Sequence, residues 1–295
     1  MKMNSKKAEL LMTSVSLAWG SSYLLMKIGL DGIGPFNLIA LRFGIAFICM
    51  VLVFLPRFRS LTVPILVKGI LMGVLLFLLF AGLVSGVNHT TASTAGFLAS
   101  TTVIIVPILE SILKRRFPNK SVMLSILLVI IGLYLLTVKD TFALDRGSVY
   151  CLLAALFYAI YIVVSDRIAK NENMFLISII QLGVASLLGV LVMLFVENPA
   201  LPETSSQWGA IIGLGLICSA YGFVVQPIAQ RYTSSERIGL IFSLEPVFSA
   251  ILSYIFLNEV LNVKGYMGAA LIFSGVVISK ITKIKFIPQK KMLSS

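Results

Sequence analysis

The sequence predicts an all-α membrane protein whose ten transmembrane helices form two inverted repeats of five helices. Three observations carry this prediction: an apolar composition, ten apolar runs of similar length, and an internal repeat. Hydrophobic residues make up 58% of the 295 residues, charged residues make up 12%, and the mean hydropathy is +1.01. A soluble domain carries about 25% charged residues because water must wet its surface. Lipid is therefore expected to cover most of this surface.

Ten apolar runs follow one another along the chain, separated by short polar or Gly- and Pro-bearing links. About 20 apolar residues are needed for a helix to cross roughly 30 Å of hydrocarbon, and each run approaches that length. The first run lacks a cleavage site of small residues and is followed by further runs, so it is expected to be a retained span. The runs are 10–30, 36–55, 66–87, 91–113, 121–138, 147–166, 174–196, 208–229, 234–257 and 263–281.

The basic residues predict the orientation. The chain holds 24 Lys and Arg residues against 12 Asp and Glu residues. With the N-terminus inside, 19 of the basic residues fall in the inner segments, and only Lys139, Arg146 and Lys264 fall in the outer loops. By the positive-inside rule, both termini should be cytoplasmic, including a basic tail at 286–295. The positive charge thus indicates a multi-pass protein of the cell membrane (inner or plasma) and not a nucleic-acid partner.

The chain also resembles itself at a spacing near 140 residues. At a shift of 139, Trp19 aligns with Tyr158 and Pro107 aligns with Pro246, and several glycines align at shifts of 140 to 143. The order of these matches agrees with the ten runs. The repeat therefore predicts two homologous five-helix halves.

The boundary between the halves is expected near residue 140, with the first half at 1–140 and the second at 141–285. Because five is an odd number, the second half enters the membrane from the opposite side. Inverted halves are typical of secondary transporters, in which the substrate site lies near the midplane between the halves.

Several short motifs, in order along nearly the whole chain, resemble the ten-helix EamA group of the drug/metabolite transporter superfamily. Each motif is weak alone, and the ordered set is more specific. The motifs are Ala18 to Tyr23 followed by Lys27, then Leu41-Arg42-Phe43, Ser243-Leu244-Glu245-Pro246, Leu257-Asn258-Glu259, and Gly268 to Val276.

This resemblance implies a 5+5 inverted repeat that exports or exchanges small organic solutes. It also implies a central cavity lined mainly by spans 1, 3, 4, 6, 8 and 9. One departure is visible in the first half, where the link at 114–118 lacks the acidic residue that the family often has near the end of span 4. Its counterpart in the second half is Glu259.

Ionisable groups within spans are candidates for function because charge in hydrocarbon is costly. Glu245, beside Pro246, has two expected roles. It either contacts a substrate amine or serves as a proton-binding site, or it is a structural carboxylate paired with a neighbouring helix. Arg42 is expected to pair with a carboxylate across helices or to snorkel, which favours a structural role. Lys27 lies about a turn from its membrane end and is expected to snorkel, with substrate contact as the alternative. Pro107 and Pro246 are candidates for a structural or coupling role.

Aromatic and hydroxyl side chains occupy equivalent parts of the two halves. Trp19, Ser22 and Tyr23 lie in span 1, and Tyr158 and Tyr161 lie in span 6. Such side chains can form a cavity wall that holds flat or apolar groups, although ordinary helix packing explains them equally well. Two residues of span 8 are further cavity candidates: Tyr221 and Gln226.

Motifs of ATP hydrolysis and of catalysis are missing from the sequence: there is no GxxxxGK[ST], no HExxH and no GxSxG pattern. The three cysteines are unclustered and the lone His89 falls at an outer turn, so no metal site, cofactor or enzyme activity is expected. The sequence thus favours a secondary transporter in the lipid bilayer that exports small organic metabolites, such as amino acids, by alternating access. The alternative is a polytopic membrane protein that does not transport, such as a receptor or an assembly factor.

Overall fold

Helices joined by short links make up most of the described structure. A computed structural model describes residues 5–113, 115, 120–137, 145–169, 174–222, 225–226, 232 and 241–285. No β-strand occurs within these ranges. The predicted tail at 286–295 lies outside the described residues, as do the end of the eighth predicted run and the start of the ninth.

The described part of the first half contains six α-helices and one 3₁₀ turn. They are α1 (Ser5–Gly29), α2 (Pro35–Phe54), the 3₁₀ turn (Leu55–Ser60), α3 (Val63–His89), α4 (Ala92–Ser100), α5 (Thr102–Leu113) and α6 (Lys120–Thr137).

The second half contains five described α-helices and one π-helical segment. They are α7 (Arg146–Ala169), α8 (Met174–Val196), α9 (Ser205–Gly213), the π-helical segment (Leu214–Tyr221), α10 (Glu245–Leu257) and α11 (Val263–Lys285). Each of the ten apolar runs holds a helix over its described part.

Five of the described helical stretches are long and apolar enough to cross a membrane, as an all-α membrane protein requires. They are Pro35–Ser60, Val63–His89, Ala92–Leu113, Arg146–Ser165 and Met174–Val196. Shorter apolar stretches occur in α6, α10 and α11. Large apolar side chains such as Leu187, Phe195 and Ile255 are exposed on the outside of the bundle, where lipid would cover them.

Helix α1 is long, at 25 residues, but it is not among the five apolar stretches. The polar stretch from Trp19 to Tyr23 lowers its hydropathy. Ser22 and Tyr23 are nevertheless buried, because this side of α1 faces the interior of the bundle instead of lipid.

Small residues set the closest helix contacts. Helix α6 packs on α11, α3 packs on α7 and α8, α2 packs on α8, and α1 packs on α10. A Cβ added at Gly268 would lie 2.6 Å from the carbonyl oxygen of Gly132, and one added at Gly20 would lie 2.6 Å from Phe248 Cβ. Glycine therefore permits the close approach of α6 to α11 and of α1 to α10.

Three of the apolar runs have helices that are interrupted within the described residues. The fourth apolar run breaks at Thr101 between α4 and α5, and the ninth turns at Ser243 and Leu244 before α10 begins at Glu245. The eighth run changes from α9 to π-helical geometry at Leu214. Irregular backbone at this depth is tolerated where it is buried in protein or lines a cavity.

Candidate functional site

A cavity of about 330 Å³ lies at the centre of the bundle. Side chains from α1, α2, α3, α4, α7, α8, the π-helical segment and α10 line it. These elements come from both the N-terminal and the C-terminal part of the chain. Most of the predicted candidates line it: Trp19, Ser22, Tyr23, Arg42, Tyr158, Tyr161, Gln226 and Glu245.

Glu245 begins α10 and turns its carboxylate into this cavity. The Tyr23 hydroxyl on α1 donates a hydrogen bond to Glu245 Oε1 at 3.0 Å. No other hydrogen bond of this carboxylate to a described residue occurs, and Glu245 forms no ion pair within that set. The close approach of α1 to α10 at Gly20 holds the two partners in register. The result is a partly buried acid in the cavity lining, with one oxygen held by a phenol and no hydrogen bond from a described residue to the other.

Aromatic rings form much of the cavity wall. The indole nitrogen of Trp19 donates to the carbonyl oxygen of Cys218 at 2.9 Å, in the π-helical segment. The ring centroids of Tyr158 and Tyr161 on α7 lie 6.2 Å apart. The Tyr161 hydroxyl donates to Gln181 Oε1 at 2.9 Å, which fixes that ring against α8. The polar tip of Trp19 and that of Tyr161 are therefore held by the protein, so their ring faces are positioned before any solute enters.

Arg42 lies on α2 with only 2% of its surface exposed. Its Nε donates to Ser219 Oγ at 2.9 Å, and its guanidinium carbon lies 4.4 Å from the centre of the Phe80 ring. Neither expected arrangement occurs among the described residues: the side chain does not snorkel to a membrane end, and no carboxylate pairs with it. The helix face that carries Arg42 points inward, which run length alone does not reveal.

A second, smaller cavity of about 140 Å³ adjoins the first and shares Tyr23, Tyr158 and Glu245 with it. Pro107 in α5 and Pro246 in α10 both line this cavity. Gly96 on α4 faces Pro246, with its ideal Cβ position 3.7 Å from Pro246 Cα. The two prolines that the repeat aligns therefore both line the cavity that Glu245 also lines.

Two predicted residues lie away from both cavities. Lys27 donates from Nζ to the carbonyl oxygens of Val87 at 3.0 Å and Thr90 at 2.9 Å. It thus satisfies the C-terminal carbonyls of α3 instead of snorkelling. The Tyr221 hydroxyl lies 2.7 Å from Ser14 Oγ, because the π-helical segment turns this side chain towards the first half of α1.

Carboxylates cap two helices at the end of the bundle where Lys27 lies. Glu259 accepts from the backbone nitrogens of Ala92 at 3.0 Å and Ser93 at 3.1 Å, at the start of α4. Glu197 accepts from the backbone nitrogens of Phe36 and Asn37, both at 3.0 Å, at the start of α2. Negative charge at a helix N-terminus is favourable, and the bonds satisfy donors that the helix leaves open. These caps connect the halves across one end of the bundle.

Several site residues were not singled out from the sequence. Phe80, Ser178 and Cys218 line the central cavity. Gln181 accepts a hydrogen bond from Tyr161, and Ser219 accepts one from Arg42. No single-residue signal marks them, because Ser, Gln and Phe are ordinary within apolar helices. Only the fold brings them to the cavity.

Comparison with known proteins identifies the family. The sequence pattern of the EamA-like transporter family matches residues 6–138 and again residues 145–281. The chain belongs to the EamA-like transporter family. Similar proteins include an uncharacterized transporter of Archaeoglobus fulgidus, 29% identical over 276 residues that cover 92% of this chain and 85% of the relative. The uncharacterized transporter YetK of Bacillus subtilis is 24% identical over 285 residues, which cover 90% of this chain and 84% of the relative.

A solved crystal structure supports the same fold. It superposes with a TM-score of 0.69 at 19% sequence identity, covering 97% of this chain and 100% of the other. At that identity the likeness concerns the fold alone. The family match, together with the apolar helices, makes this chain a membrane protein of a transporter family, as the motifs around Trp19, Arg42 and Glu245 predicted.

Proposed function

We propose that this EamA-family protein is a secondary transporter that exports small organic metabolites, amino acids or related compounds among them, by alternating access. The central cavity is the observation that carries the proposal. Its volume is large enough for a small solute, since the smallest ligand pockets have volumes of about 300 Å³. It combines aromatic walls with one acidic and one basic side chain, Glu245 and Arg42. Such a lining suits an organic solute that carries charge.

The inverted repeat is part of this proposal, and two observations support it. The family pattern matches once in each half. If each helix is replaced by its counterpart in the other half, the observed helix contacts correspond in pairs. The contact of α3 with α7 corresponds to the contact of α1 with α9 and the π-helical segment. The contact of α1 with α10 corresponds to the contact of α7 with α4 and α5. The contacts of α2 with α8, α6 with α11, and α4 with α10 each map onto themselves. Ten spans and two homologous halves at 1–140 and 141–285 account for this pattern.

The orientation is proposed from the ends of the bundle. The links that follow α1, α3, α8 and α10 gather at one end, where Lys27, Glu197 and Glu259 bridge between helices. This end carries few basic residues in the sequence, so it is assigned to the outside. The opposite end then faces the cytoplasm of the cell membrane, with both termini. Reporter fusions at Lys290 and in loop 197–203 test this: they should report opposite sides, and reports from the same side would contradict the ten-span topology.

The state of the cavity is proposed from its lining. Ser165 and Met174 belong to it and lie near the cytoplasmic ends of α7 and α8. The outer end is bridged by Glu197, Glu259 and Lys27 contacts. An inward-facing arrangement accounts for both features. The opposite state would break the outer bridges, and the interruptions at Thr101 and before Glu245 supply places where helices can bend.

The energy source follows from the absence of a P-loop in the sequence and from the position of Glu245. As access alternates, Glu245 either gains a proton on one side and loses it on the other, or holds the amine of the substrate throughout. Uptake and efflux by the purified protein in liposomes, screened with amino acids and nucleosides, test the function. Protein-dependent movement of at least one class is expected. Movement no faster than in protein-free liposomes, across both classes, would contradict the proposal.

A further inference from the structure

The Arg42 guanidinium is a buried cation whose surroundings are neutral. With 2% of its surface exposed, it lies in the central cavity, well inside the second predicted span. A buried charge is strongly disfavoured unless a counter-charge or enough hydrogen bonds offset the lost hydration. The contacts of Arg42 therefore indicate what the site lacks.

Every described contact of the guanidinium is to an uncharged group. Nε donates to the hydroxyl of Ser219 at 2.9 Å, and Nη1 approaches the sulfur of Met26 at 3.7 Å. The rings of Phe80 and Phe43 lie at 4.4 Å and 5.2 Å from the guanidinium carbon. Nη2 has no acceptor among the described residues. Ser219 thus holds Nε, and the side chain forms part of the cavity lining.

Glu245 presents the complementary arrangement in the same cavity. Tyr23 holds Oε1, and Oε2 has no donor among the described residues. Although both side chains line the cavity, they do not form an ion pair with each other within the part of the chain that the structure describes. The cavity therefore holds one basic and one acidic side chain that do not pair with each other, and Trp19 and Tyr158 also line it.

We infer that Arg42 binds the carboxylate of the transported solute, so that the cavity selects compounds bearing both a carboxylate and an amine. This inference rests on the proposed transport function and deepens it. The planar guanidinium can bind a carboxylate through two parallel hydrogen bonds, which an ammonium group cannot do. Glu245 Oε2 receives the amine, and the aromatic wall receives an apolar or flat side chain. Arg42, which looked structural from the sequence alone, becomes a specificity-determining residue.

The test measures binding to the purified full-length protein, independently of transport. Each of the common amino acids is tested for thermal stabilisation, and the strongest binder is compared with its methyl ester and with its decarboxylated amine. Loss of one charge-assisted hydrogen-bonded contact corresponds to about tenfold or more in affinity. The wild-type protein should bind both carboxylate-free analogues at least about tenfold more weakly than the amino acid.

Variants assign this preference to Arg42. Arg42→Gln should lower affinity for the amino acid to the level of its methyl ester while leaving the ester unchanged. If Arg42→Gln does not fold, Arg42→Lys takes its place: it keeps the charge without the planar fork and should give an intermediate loss of affinity for the amino acid alone. Glu245→Gln serves as the matched variant, because it should lower the affinity for the amino acid and the affinity for its ester by the same factor.

Three results would overturn the inference: equal wild-type affinity for the amino acid and its ester, equal losses for both ligands in the Arg42 variants, or no binding of any amino acid. None of these would overturn the proposed transport function. If the liposome screen finds transport of nucleosides only, the protein remains a transporter and Arg42 is not a carboxylate site. If the liposome screen finds no transport at all, the proposed function itself fails.

Discussion

Replacing Gly20 with alanine should separate α1 from α10 at the level of the cavity. The new Cβ would lie 2.6 Å from Phe248 Cβ and 2.8 Å from the backbone oxygen of Glu245. Ordinary contacts begin near 3.4 Å, so α10 must move by roughly 0.8 Å, and overpacking of this kind costs about 1–3 kcal/mol. Alanine recovers up to about 1 kcal/mol through its helix propensity. The net expected loss in the free energy of unfolding is about 0–3 kcal/mol, and about 1–3 kcal/mol relative to a Gly→Ala change that gains the same helix propensity without overpacking.

The same displacement should disturb the site. The hydrogen bond from Tyr23 to Glu245 is 3.0 Å long, and a shift of this size takes it beyond hydrogen-bonding range unless the side chains follow. Gly209→Ala is the matched control, since nothing lies within 4 Å of its added Cβ. Reversible unfolding of the purified variants in denaturing detergent gives the two free energies. If Gly20→Ala is as stable as Gly209→Ala, the reasoning on helix approach is refuted.

Two further substitutions test the bridges at the outer end. Glu259→Gln keeps the shape but removes the charge that caps α4, so it should lower the free energy of unfolding by about 1–2 kcal/mol. Glu203→Gln, at an exposed carboxylate, should have no measurable effect in the same assay, and equal stabilities of these two variants would contradict the cap. Lys27→Met removes two hydrogen bonds to the end of α3 and should cost about 1–2 kcal/mol, whereas Lys264→Met at an exposed position should be neutral. A neutral Lys27→Met would show that water replaces those bonds.

The helices could be predicted from the sequence because bilayer thickness fixes the length of an apolar run. The structure places helices in the described part of each of the ten runs, and the family match confirms the resemblance suggested by the motifs around Trp19, Arg42 and Glu245. Polar residues within such runs are easy to notice. For that reason most of the cavity-lining candidates could be predicted, because polar residues within an apolar run are unfavourable in contact with lipid.

The contacts of those residues could not be predicted, because they depend on helix rotation and on distant chain segments. The π-helical segment shifts the helix face and turns Tyr221 towards Ser14. The helix break at Thr101 could not be predicted because neither Gly nor Pro stands at or beside that position. Lys27 finds its acceptors at the end of α3, and Arg42 finds Ser219 in the other half of the chain. Such pairings arise only after the two halves pack together.

The transport rate of Glu245→Gln in liposomes tests the central claim most directly. Gln preserves the shape of the side chain and removes its charge, and Glu203→Gln provides a control outside the cavity. We expect a folded Glu245→Gln protein whose net transport is at least about tenfold slower than that of the wild type, corresponding to one lost charged contact, with Glu203→Gln unchanged. A proton role predicts that exchange persists without pH dependence, whereas an amine-binding role predicts weaker affinity for amino compounds at every pH. Wild-type transport by Glu245→Gln, with unchanged pH dependence and affinity, would contradict the account and leave Glu245 as a structural residue.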